Sequence, residues 1–229
     1  MNIAIIPARA GSQRVKNKNI REFLGAPIIG HVIQTLKASS CIDLVYVSTD
    51  CENIAAIASS FGARIRGLRP SDLSGHHVGS SQVVKYEASE LLASGLEIDN
   101  IAEVYATAAL MSTESLRAAF EKVDKLGEGF YVFAACEFAS PIERSFKIVD
   151  GRCDPVKASF FNIRTQDLTP SFHDAGQFYV AKAATWMTQP FRFDDRSYPI
   201  RIPRYRGVDI DWEEDWVMAE ALGKSLLGG

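Results

Sequence analysis

The segment from Arg9 to Arg21 concentrates positive charge. It contains five basic side chains and no acidic one: Arg9, Arg14, Lys16, Lys18 and Arg21. Small residues such as Gly11 and Ser12 let backbone N–H groups approach an anion closely, while Arg and Lys neutralise its charge. The segment is therefore typical of a phosphate-binding loop, although it matches neither the G-x-x-x-x-G-K-S/T nor the G-x-G-x-x-G fingerprint. A basic loop that only contacts solvent is the alternative that spacing leaves open.

A second cluster near the end of the chain contains paired acidic residues. Arginines at 201, 204 and 206 precede Asp209 and Asp211. In an extended segment these two carboxylates project to the same side and could hold a divalent cation. Asp211 followed by Glu214 also fits an N-terminal capping box, and spacing alone favours that cap.

Other polar positions allow two interpretations each. Asp50 follows a strand-like run, so it either contacts a nucleotide or supports the basic loop, or else it caps the helix that comes next. His173 beside Asp174 either acts on a sugar hydroxyl or belongs to a polar turn. His76 and His77 are adjacent, so their side chains diverge, and no role is predicted for them.

Hydrophobic periodicity indicates the elements that position these residues. Apolar runs predict strands at 3–7, 44–49, 63–65, 102–107 and 130–136. Helical spacing predicts helices from about 27, over 52–61, through 84–92 and through 116–123. This alternation is typical of the α/β class and predicts a mostly parallel sheet with helices on both faces.

The alternation breaks at about residue 138. The sequence KIVDG at 147–151 is a hairpin signal, so we expect a small antiparallel insertion at about 138–168. The chain is predicted to return to the main sheet at 177–181. A closing helix is predicted over 211–222, with Trp212, Trp216 and Ala219 on one face. No linker divides the chain, which predicts a single domain over 1–229.

Composition excludes several classes of protein. The 229 residues are 47% hydrophobic and carry 25 Lys+Arg against 28 Asp+Glu, a net charge of −3. Such a chain can bury a core, and its acidic balance argues against a nucleic-acid binder. No apolar run approaches the roughly 18 residues of a membrane helix. The four cysteines lack metal-site spacing, so we expect reduced thiols in a cytoplasmic protein that binds no membrane.

Short motifs along nearly the whole chain resemble the cytidylyltransferases that activate nine-carbon acidic sugars, the sialic acid type. They are IIPAR at 5–9, KNI at 18–20, VSTD at 47–50, LRP at 68–70, YATA at 105–108, RTQDL at 164–168 and DID at 209–211. The stretch HDAGQFY at 173–179 is similar to the pseudaminic acid branch, because sialic acid enzymes usually carry Asn-Gly where Ala175 and Gly176 stand.

The resemblance implies a Rossmann-like nucleotidyltransferase fold whose insertion reaches a second subunit in a homodimer. It implies that the anomeric hydroxyl of an acidic nine-carbon sugar attacks the α-phosphorus of CTP and that pyrophosphate leaves. The implied nucleotide-binding residues are Arg9, Ala10, Gly11, Ser12, Arg14, Lys18, Asn19, Arg69 and Ser80. The implied sugar-binding residues are Tyr105, Arg164, Gln166 and His173. The implied catalytic residues are Lys18, Arg9, Asp209 and Asp211, of which the two aspartates would bind Mg²⁺.

Some positions depart from the family pattern. Ala10 and Gln13 stand where many members have Gly and Lys, which predicts weaker binding of the triphosphate. Tyr105 replaces a glutamine that sialic acid enzymes use against the sugar, in keeping with the pseudaminic branch.

Three other functions compete with this interpretation. One is the same reaction on neuraminic, legionaminic or deoxy-octulosonic acid, and another is a CTP-binding protein that has lost catalysis. A nicotinamide-dependent oxidoreductase shares the fold class, but the glycine fingerprint after the first strand is missing.

Overall fold

The computed structural model describes residues 1–75 and 77–227, so His76 lies outside the described residues. Its strands are β1 Asn2–Pro7, β2 Glu22–Phe23, β3 Ala26–Pro27, β4 Leu44–Ser48, β5 Asn100–Val104, β6 Tyr131–Glu137, β7 Phe146–Val149, β8 Arg152–Pro155, β9 Phe172–Lys182 and β10 Ser197–Arg201. Its α-helices are α1 Ile28–Ala38, α2 Glu52–Ser60, α3 Ser80–Ala93, α4 Thr113–Leu126, α5 Ala183–Thr188 and α6 Glu213–Leu227.

Within the described residues, six strands form the main sheet in the order β10-β6-β9-β5-β1-β4. Strand β1 is parallel to β4 and β5, and β6 is parallel to β10, so the expected mostly parallel sheet is confirmed. Strand β9 is antiparallel to both of its neighbours. Its direction follows from the insertion, which leaves β6 at Glu137 and re-enters the sheet beside it, where Phe172 pairs with Glu137.

Helices cover both faces of the sheet, as predicted. Because side chains alternate between faces along a strand, Ala4 and Ile6 of β1 pack in the core with α1, α2 and α4. Ile3 and Ile5 point to the other face and pack with α3 and α5. All four side chains are fully buried, which explains why the central strand is a continuous apolar run.

The structure corrects several predicted boundaries. The strand predicted at 63–65 is reduced to a single bridge between Arg64 and Tyr46. The strand predicted at 102–107 is Asn100–Val104, because the chain turns immediately afterwards, with the Ala108 amide bonded to the Tyr105 carbonyl. The closing helix begins at Glu213, so Trp212 precedes it and is exposed instead of sharing the buried face of Trp216 and Ala219.

The insertion contains the predicted hairpin. Strands β7 and β8 are antiparallel, and Asp150 and Gly151 between them have φ values of +50° and +72°. Two consecutive residues with positive φ are the hallmark of the tight turn that the sequence indicated. The assignment of the whole chain to one domain stays a prediction. Among residues 1–75 and 77–227, no helix combines the length and the apolar composition that crossing a bilayer requires.

Candidate active site

The basic loop leaves the carboxyl end of β1 and is held in a folded shape by hydrogen bonds that include the following. The Ala10 amide donates to Asp50 Oδ1 (2.8 Å), and Asn19 Nδ2 donates to the carbonyl oxygen of Arg9 (3.0 Å). The Lys18 amide donates to Ser12 Oγ (3.0 Å). Asp50 therefore supports the loop, and the predicted helix cap is wrong, because α2 has Cys51 at its N-cap and no side-chain cap hydrogen bond.

Glycine is required where this loop bends. Gly11 has a φ of +78°, a backbone conformation that side chains with a Cβ rarely adopt. This turn lies within the segment that carries the five basic side chains. The loop therefore has the geometry expected of an anion-binding site.

The loop faces the Asp209–Asp211 segment across a cavity of about 350 Å³. This cavity is lined by Arg9, Ser12, Gln13, Arg14, Val15, Lys18 and Asp211. Arg14 Nη2 lies 2.9 Å from Asp211 Oδ1, and Lys18 Nζ lies 3.5 Å from the same oxygen. Lys18 Nζ also donates to the carbonyl oxygen of Ile210 (2.6 Å). The two clusters found at opposite ends of the sequence thus form one site.

Asp211 is not part of a capping box, so that prediction is wrong. Because α6 begins at Glu213, the side chain in the third helical position is Asp215. Asp215 Oδ2 accepts from the backbone amides of Asp211 (2.9 Å) and Trp212 (2.7 Å). The Asp211 carboxylate is left to face the basic loop.

Asp209 lies close enough to Asp211 for the two charges to interact. Its side chain reaches solvent, yet neighbouring protein atoms crowd the carboxylate. This partial desolvation, followed by the nearby Asp211 charge, raises the pKa of Asp209. Lys18 acts in the opposite direction and stabilises the ionised form of Asp209.

The donor set fits a magnesium ion. Asp209 and Asp211 offer hard oxygen ligands, and a cation between them would offset their mutual repulsion. No group of three or more His, Cys, Asp or Glu side chains in residues 1–75 and 77–227 could hold a metal ion. Two carboxylates suit Mg²⁺, which is commonly bound by one or two protein carboxylates together with substrate phosphates and waters.

Two of the predicted nucleotide-binding residues line a neighbouring cavity. Arg69 and Ser80 line a space of about 120 Å³ that also touches Arg9. The Arg69 amide donates to the carbonyl oxygen of Thr49 (2.7 Å), which fixes the backbone beside the carboxyl end of β4. Burial lowers the pKa of the Arg69 guanidinium. Arg9 borders both cavities and therefore connects them.

The predicted sugar-binding residues occupy two regions. Tyr105 is half-buried directly after β5, with its ring centroid 5.6 Å from that of Tyr179. Arg164 and Gln166 are exposed on the insertion, where Arg164 Nε lies 3.2 Å from Asp167 Oδ2.

His173 and Asp174 do not form a catalytic pair through the carboxylate. His173 Nδ1 lies 2.7 Å from the backbone oxygen of Asp174, and the His173 ring packs 4.8 Å from the Phe138 ring. The Asp174 carboxylate instead accepts hydrogen bonds from the Tyr179 hydroxyl and the Gly176 amide. The two side chains therefore have separate partners.

Comparison with known proteins identifies the family. Residues 3–150 match the model of a family described as cytidylyltransferase. A protein of Campylobacter jejuni subsp. jejuni serotype O:2, named pseudaminic acid cytidylyltransferase, is 36% identical over 225 residues, which cover 97% of this chain and 96% of the relative. The chain belongs to the cytidylyltransferase family. It is a nucleotidyltransferase.

More distant comparisons agree with this assignment. The cytidylyltransferase is 28% identical to CMP-N,N'-diacetyllegionaminic acid synthase of Legionella pneumophila, over 96% of this chain and 95% of the relative. The solved structure of CMP:2-keto-3-deoxy-manno-octonic acid synthetase with CTP matches it with a TM-score of 0.70 at 13% identity, covering 98% of each chain. That structural likeness confirms the expected Rossmann-like nucleotidyltransferase fold.

Sequence reasoning missed a buried carboxyl group in this cytidylyltransferase. Glu103 lies in β5 with only 1% of its surface exposed, and Ser81 Oγ donates to Glu103 Oε2 (3.2 Å). Glu103 Oε1 has no hydrogen-bond partner among the described residues. Burial raises the pKa of Glu103 to about 7. The available signal was an acidic residue inside an otherwise apolar strand.

Cavity size does not identify the site of this cytidylyltransferase. A cavity of about 400 Å³ lies at the base of the insertion, with Phe138, Thr165, Phe172, Arg201 and Arg204 among its lining residues. It lies apart from the basic loop and from Asp209 and Asp211. The smaller cavity is the candidate site because it gathers cations, which suit phosphate oxygens, and a carboxylate, which suits a metal ion.

Proposed function

We propose that this cytidylyltransferase transfers CMP from CTP to the anomeric hydroxyl of pseudaminic acid, an acidic nine-carbon sugar, with release of pyrophosphate. The observation that carries the proposal is that side chains of the basic loop and Asp211 line the same cavity. The chain in which this occurs is 36% identical to a pseudaminic acid cytidylyltransferase over 97% of its length.

The basic loop would bind the triphosphate. Arg9, Arg14 and Lys18 would supply charge, while the Gly11 amide and the Ser12 hydroxyl would supply further contacts. Ala10 would contribute by holding the turn through its bond to Asp50. In the structure Arg14 and Lys18 pair with Asp211. When CTP binds, its phosphate oxygens would take over these cations and free Asp211.

The cytosine and ribose would lie beside Arg69 and Ser80. These residues line the cavity next to the basic loop, and Arg9 borders both spaces. Asn19 would support this end of the loop through its hydrogen bond to the Arg9 carbonyl. The nucleoside and the triphosphate would thus occupy connected parts of one cleft.

Asp209 and Asp211 would hold Mg²⁺. The ion would neutralise charge on the phosphate oxygens around the reacting phosphorus. Lys18 would orient the aspartate segment through its contacts with Ile210 and Asp211. Alignment and charge neutralisation are the main requirements of phosphoryl transfer, and these residues would meet both.

The sugar would bind on the side of Tyr105 and His173. Tyr105 is half-buried and its ring contacts that of Tyr179. The contact would hold the Tyr105 ring in place, so that a sugar ring could pack against it. Arg164 and Gln166 would approach the sugar from the insertion of a second subunit, because both are exposed there.

A homodimer would explain the apolar surface of the insertion. Every residue of β7 and β8 is exposed, including Phe146, Ile148 and Val149. An isolated two-stranded hairpin is at best marginally stable, and exposed apolar patches mark interaction surfaces. We propose that a second copy of the chain covers this hairpin. Sedimentation should show a dimer for the unmodified chain and a monomer for Ile148→Asp.

The cytoplasm is the proposed location of the reaction, because CTP is available there. Pyrophosphate release tests the proposed reaction. We expect release with CTP, Mg²⁺ and pseudaminic acid, and none when ATP, GTP or UTP replaces CTP. Preference for N-acetylneuraminic acid would overturn the sugar assignment. CTP binding without turnover of any sugar would favour a protein that has lost catalysis.

A further inference from the structure

Strands β5 and β9 bring two carboxyl groups and two tyrosines together. Glu103 is paired with Tyr179 in the strand register, and the Tyr105 ring lies 5.6 Å from the Tyr179 ring. The Tyr179 hydroxyl donates to Asp174 Oδ2. Tyr179 is 4% exposed, so its hydroxyl has little access to water and depends on this acceptor.

The Asp174 carboxylate also shapes the backbone. Its second oxygen, Oδ1, accepts from the Gly176 amide (3.1 Å), and Gly176 has a φ of +60°. The pairing of β6 with β9 shifts at this point, from Phe133 opposite Tyr179 to Ala135 opposite Asp174. Such bulges often re-aim side chains next to active sites.

The bulge packs directly against Asp209. A Cβ atom added to Gly176 would lie 2.8 Å from Asp209 Cγ and 3.0 Å from each of its carboxylate oxygens. The Gly176 backbone therefore lies against the Asp209 carboxylate and limits its position on that side. Because Asp174 holds the Gly176 amide with one oxygen and Tyr179 with the other, it connects the tyrosine to the Asp209 region.

We propose that Asp174 is a positioning residue that holds the Tyr179 hydroxyl and the Gly176 turn together and thereby aligns the acidic sugar with the Asp209–Asp211 pair. This inference rests on the proposed function. A carboxyl group has two acceptor oxygens, so Asp174 can hold both groups at once. Burial, followed by the neighbouring Tyr105 and Asp174, raises the pKa of Tyr179, so the phenol remains a hydrogen-bond donor.

A double-mutant cycle tests the proposal. Asp174→Ala, Tyr179→Phe and the double variant are compared with the unmodified enzyme by initial rates of pyrophosphate release at varied sugar and varied CTP. Each single substitution should lower kcat/KM for the sugar about 30-fold. The kcat/KM of the double variant should be at most about twofold lower than that of the less active single variant. KM for CTP should stay within about threefold of the unmodified value.

Two further variants separate positioning from folding. Asp174→Asn keeps one acceptor oxygen. It should restore about a third or more of the kcat/KM for the sugar that Asp174→Ala loses. Asp194→Asn removes an exposed partner of Arg196 and should leave the kinetics unchanged. If Asp174→Ala does not fold, the cycle is run with Asp174→Asn and Tyr179→Phe, which retain most of the side-chain volume.

The outcomes distinguish this inference from the proposed function. Three results would each overturn the role of Asp174 and leave the enzyme's reaction in place. They are losses in kcat/KM that multiply in the double variant, a rise of KM for CTP equal to that of KM for the sugar, and single variants with unmodified kinetics. An unmodified enzyme that converts no acidic sugar would overturn the proposed function together with this inference. Coupled losses confined to the sugar parameters would support it.

Discussion

The two sides of the cleft are constructed in different ways. The proposed nucleotide side, the loop from Arg9 to Arg21 with Arg69 and Ser80, comes mainly from one continuous piece of chain. The proposed sugar side includes Tyr105 and, around it, Glu103, Asp174 and Tyr179, and it is assembled from β5, β9 and the turns beside them. The nucleotide side carries a surplus of cations in partly exposed positions, whereas the sugar side contains carboxyl and phenol groups in buried or half-buried positions.

This difference separates two ways of forming a polar site. Exposed cations on a hydrogen-bonded loop can exchange Asp211 for phosphate oxygens and remain paired. Buried carboxyls and phenols must keep their partners, because an unpaired polar group away from water is costly. Changes on the nucleotide side should therefore act on CTP binding and turnover, and changes on the sugar side should also act on stability and sugar selection.

The largest effect is expected at Lys18. Lys18→Ala removes the contacts with Ile210 and Asp211 together with a cation of the phosphate-binding loop. We expect kcat to fall about 10³-fold while the melting temperature changes little, since one preorganised electrostatic contact is worth about that much. Steady-state pyrophosphate release measures the loss.

Lys16→Ala is the matched control. Lys16 belongs to the same loop, is exposed and does not line the cavity. Its kinetics should stay within about threefold of the unmodified enzyme, because exposed charges contribute little. A kcat for Lys18→Ala within tenfold of normal would remove Lys18 from the mechanism.

The next effect concerns stability on the sugar side. Burial raises the pKa of Glu103 from its usual 4.5 to about 7, so the folded state binds this proton more tightly than the unfolded state. The stabilisation from this proton is fully present below pH 4.5 and is lost as the pH rises through 7. A shift of this size corresponds to about 3 kcal/mol over the whole window.

Glu103→Gln has no such titration. The free energy of unfolding of each protein is measured with urea. The value for Glu103→Gln minus the value for the unmodified protein should increase by up to about 3 kcal/mol between pH 4.5 and pH 8. Glu121→Gln on the exposed face of α4 is the control and should show no pH-dependent difference. A constant offset for Glu103→Gln across the pH range would contradict the buried, proton-binding state of Glu103.

A smaller effect is expected at Arg14. Its side chain is about half exposed, so the lost interaction with phosphate is partly screened by solvent. Arg14→Ala should raise KM for CTP about tenfold and leave KM for the sugar within twofold. The increase should shrink at high salt, because exposed charges are screened. An increase confined to KM for the sugar would contradict the assignment of Arg14 to the nucleotide side.

The smallest effect is expected at Asp50, which supports the loop from outside the cavity. Asp50→Ala removes the acceptor of the Ala10 amide, an exposed hydrogen bond. KM for CTP should rise about threefold, in line with the net value of one ordinary hydrogen bond. Isothermal titration with CTP gives an independent reading. Unchanged affinity would show that the loop holds its shape without Asp50.

The same contrast explains what the sequence could predict. The basic loop was recognisable because its charges are consecutive, and the pairing of Asp209 with Asp211 follows from their spacing in an extended segment. The capping box at Asp211 failed because its position depends on where α6 begins, and the helix starts two residues later than the sequence suggested. The strand at 102–107 was misplaced because apolar residues continue into the turn after Val104.

The sugar side was less accessible to prediction. Tyr105 could be named only through the family resemblance, and the bond between Asp174 and Tyr179 depends on a bulge in β9. Adjacent residues suggested a His173–Asp174 pair, yet the Asp174 carboxylate contacts other groups. The register of distant strands decides these contacts, and local spacing carries no information about that register.

A competition reaction tests the central claim most directly. The enzyme is given CTP and Mg²⁺ with equal concentrations of pseudaminic acid and N-acetylneuraminic acid in one tube, and mass spectrometry identifies the CMP-sugars formed. The proposed function predicts CMP-pseudaminic acid as the dominant product. Formation of mainly CMP-N-acetylneuraminic acid, or of neither product, would contradict it.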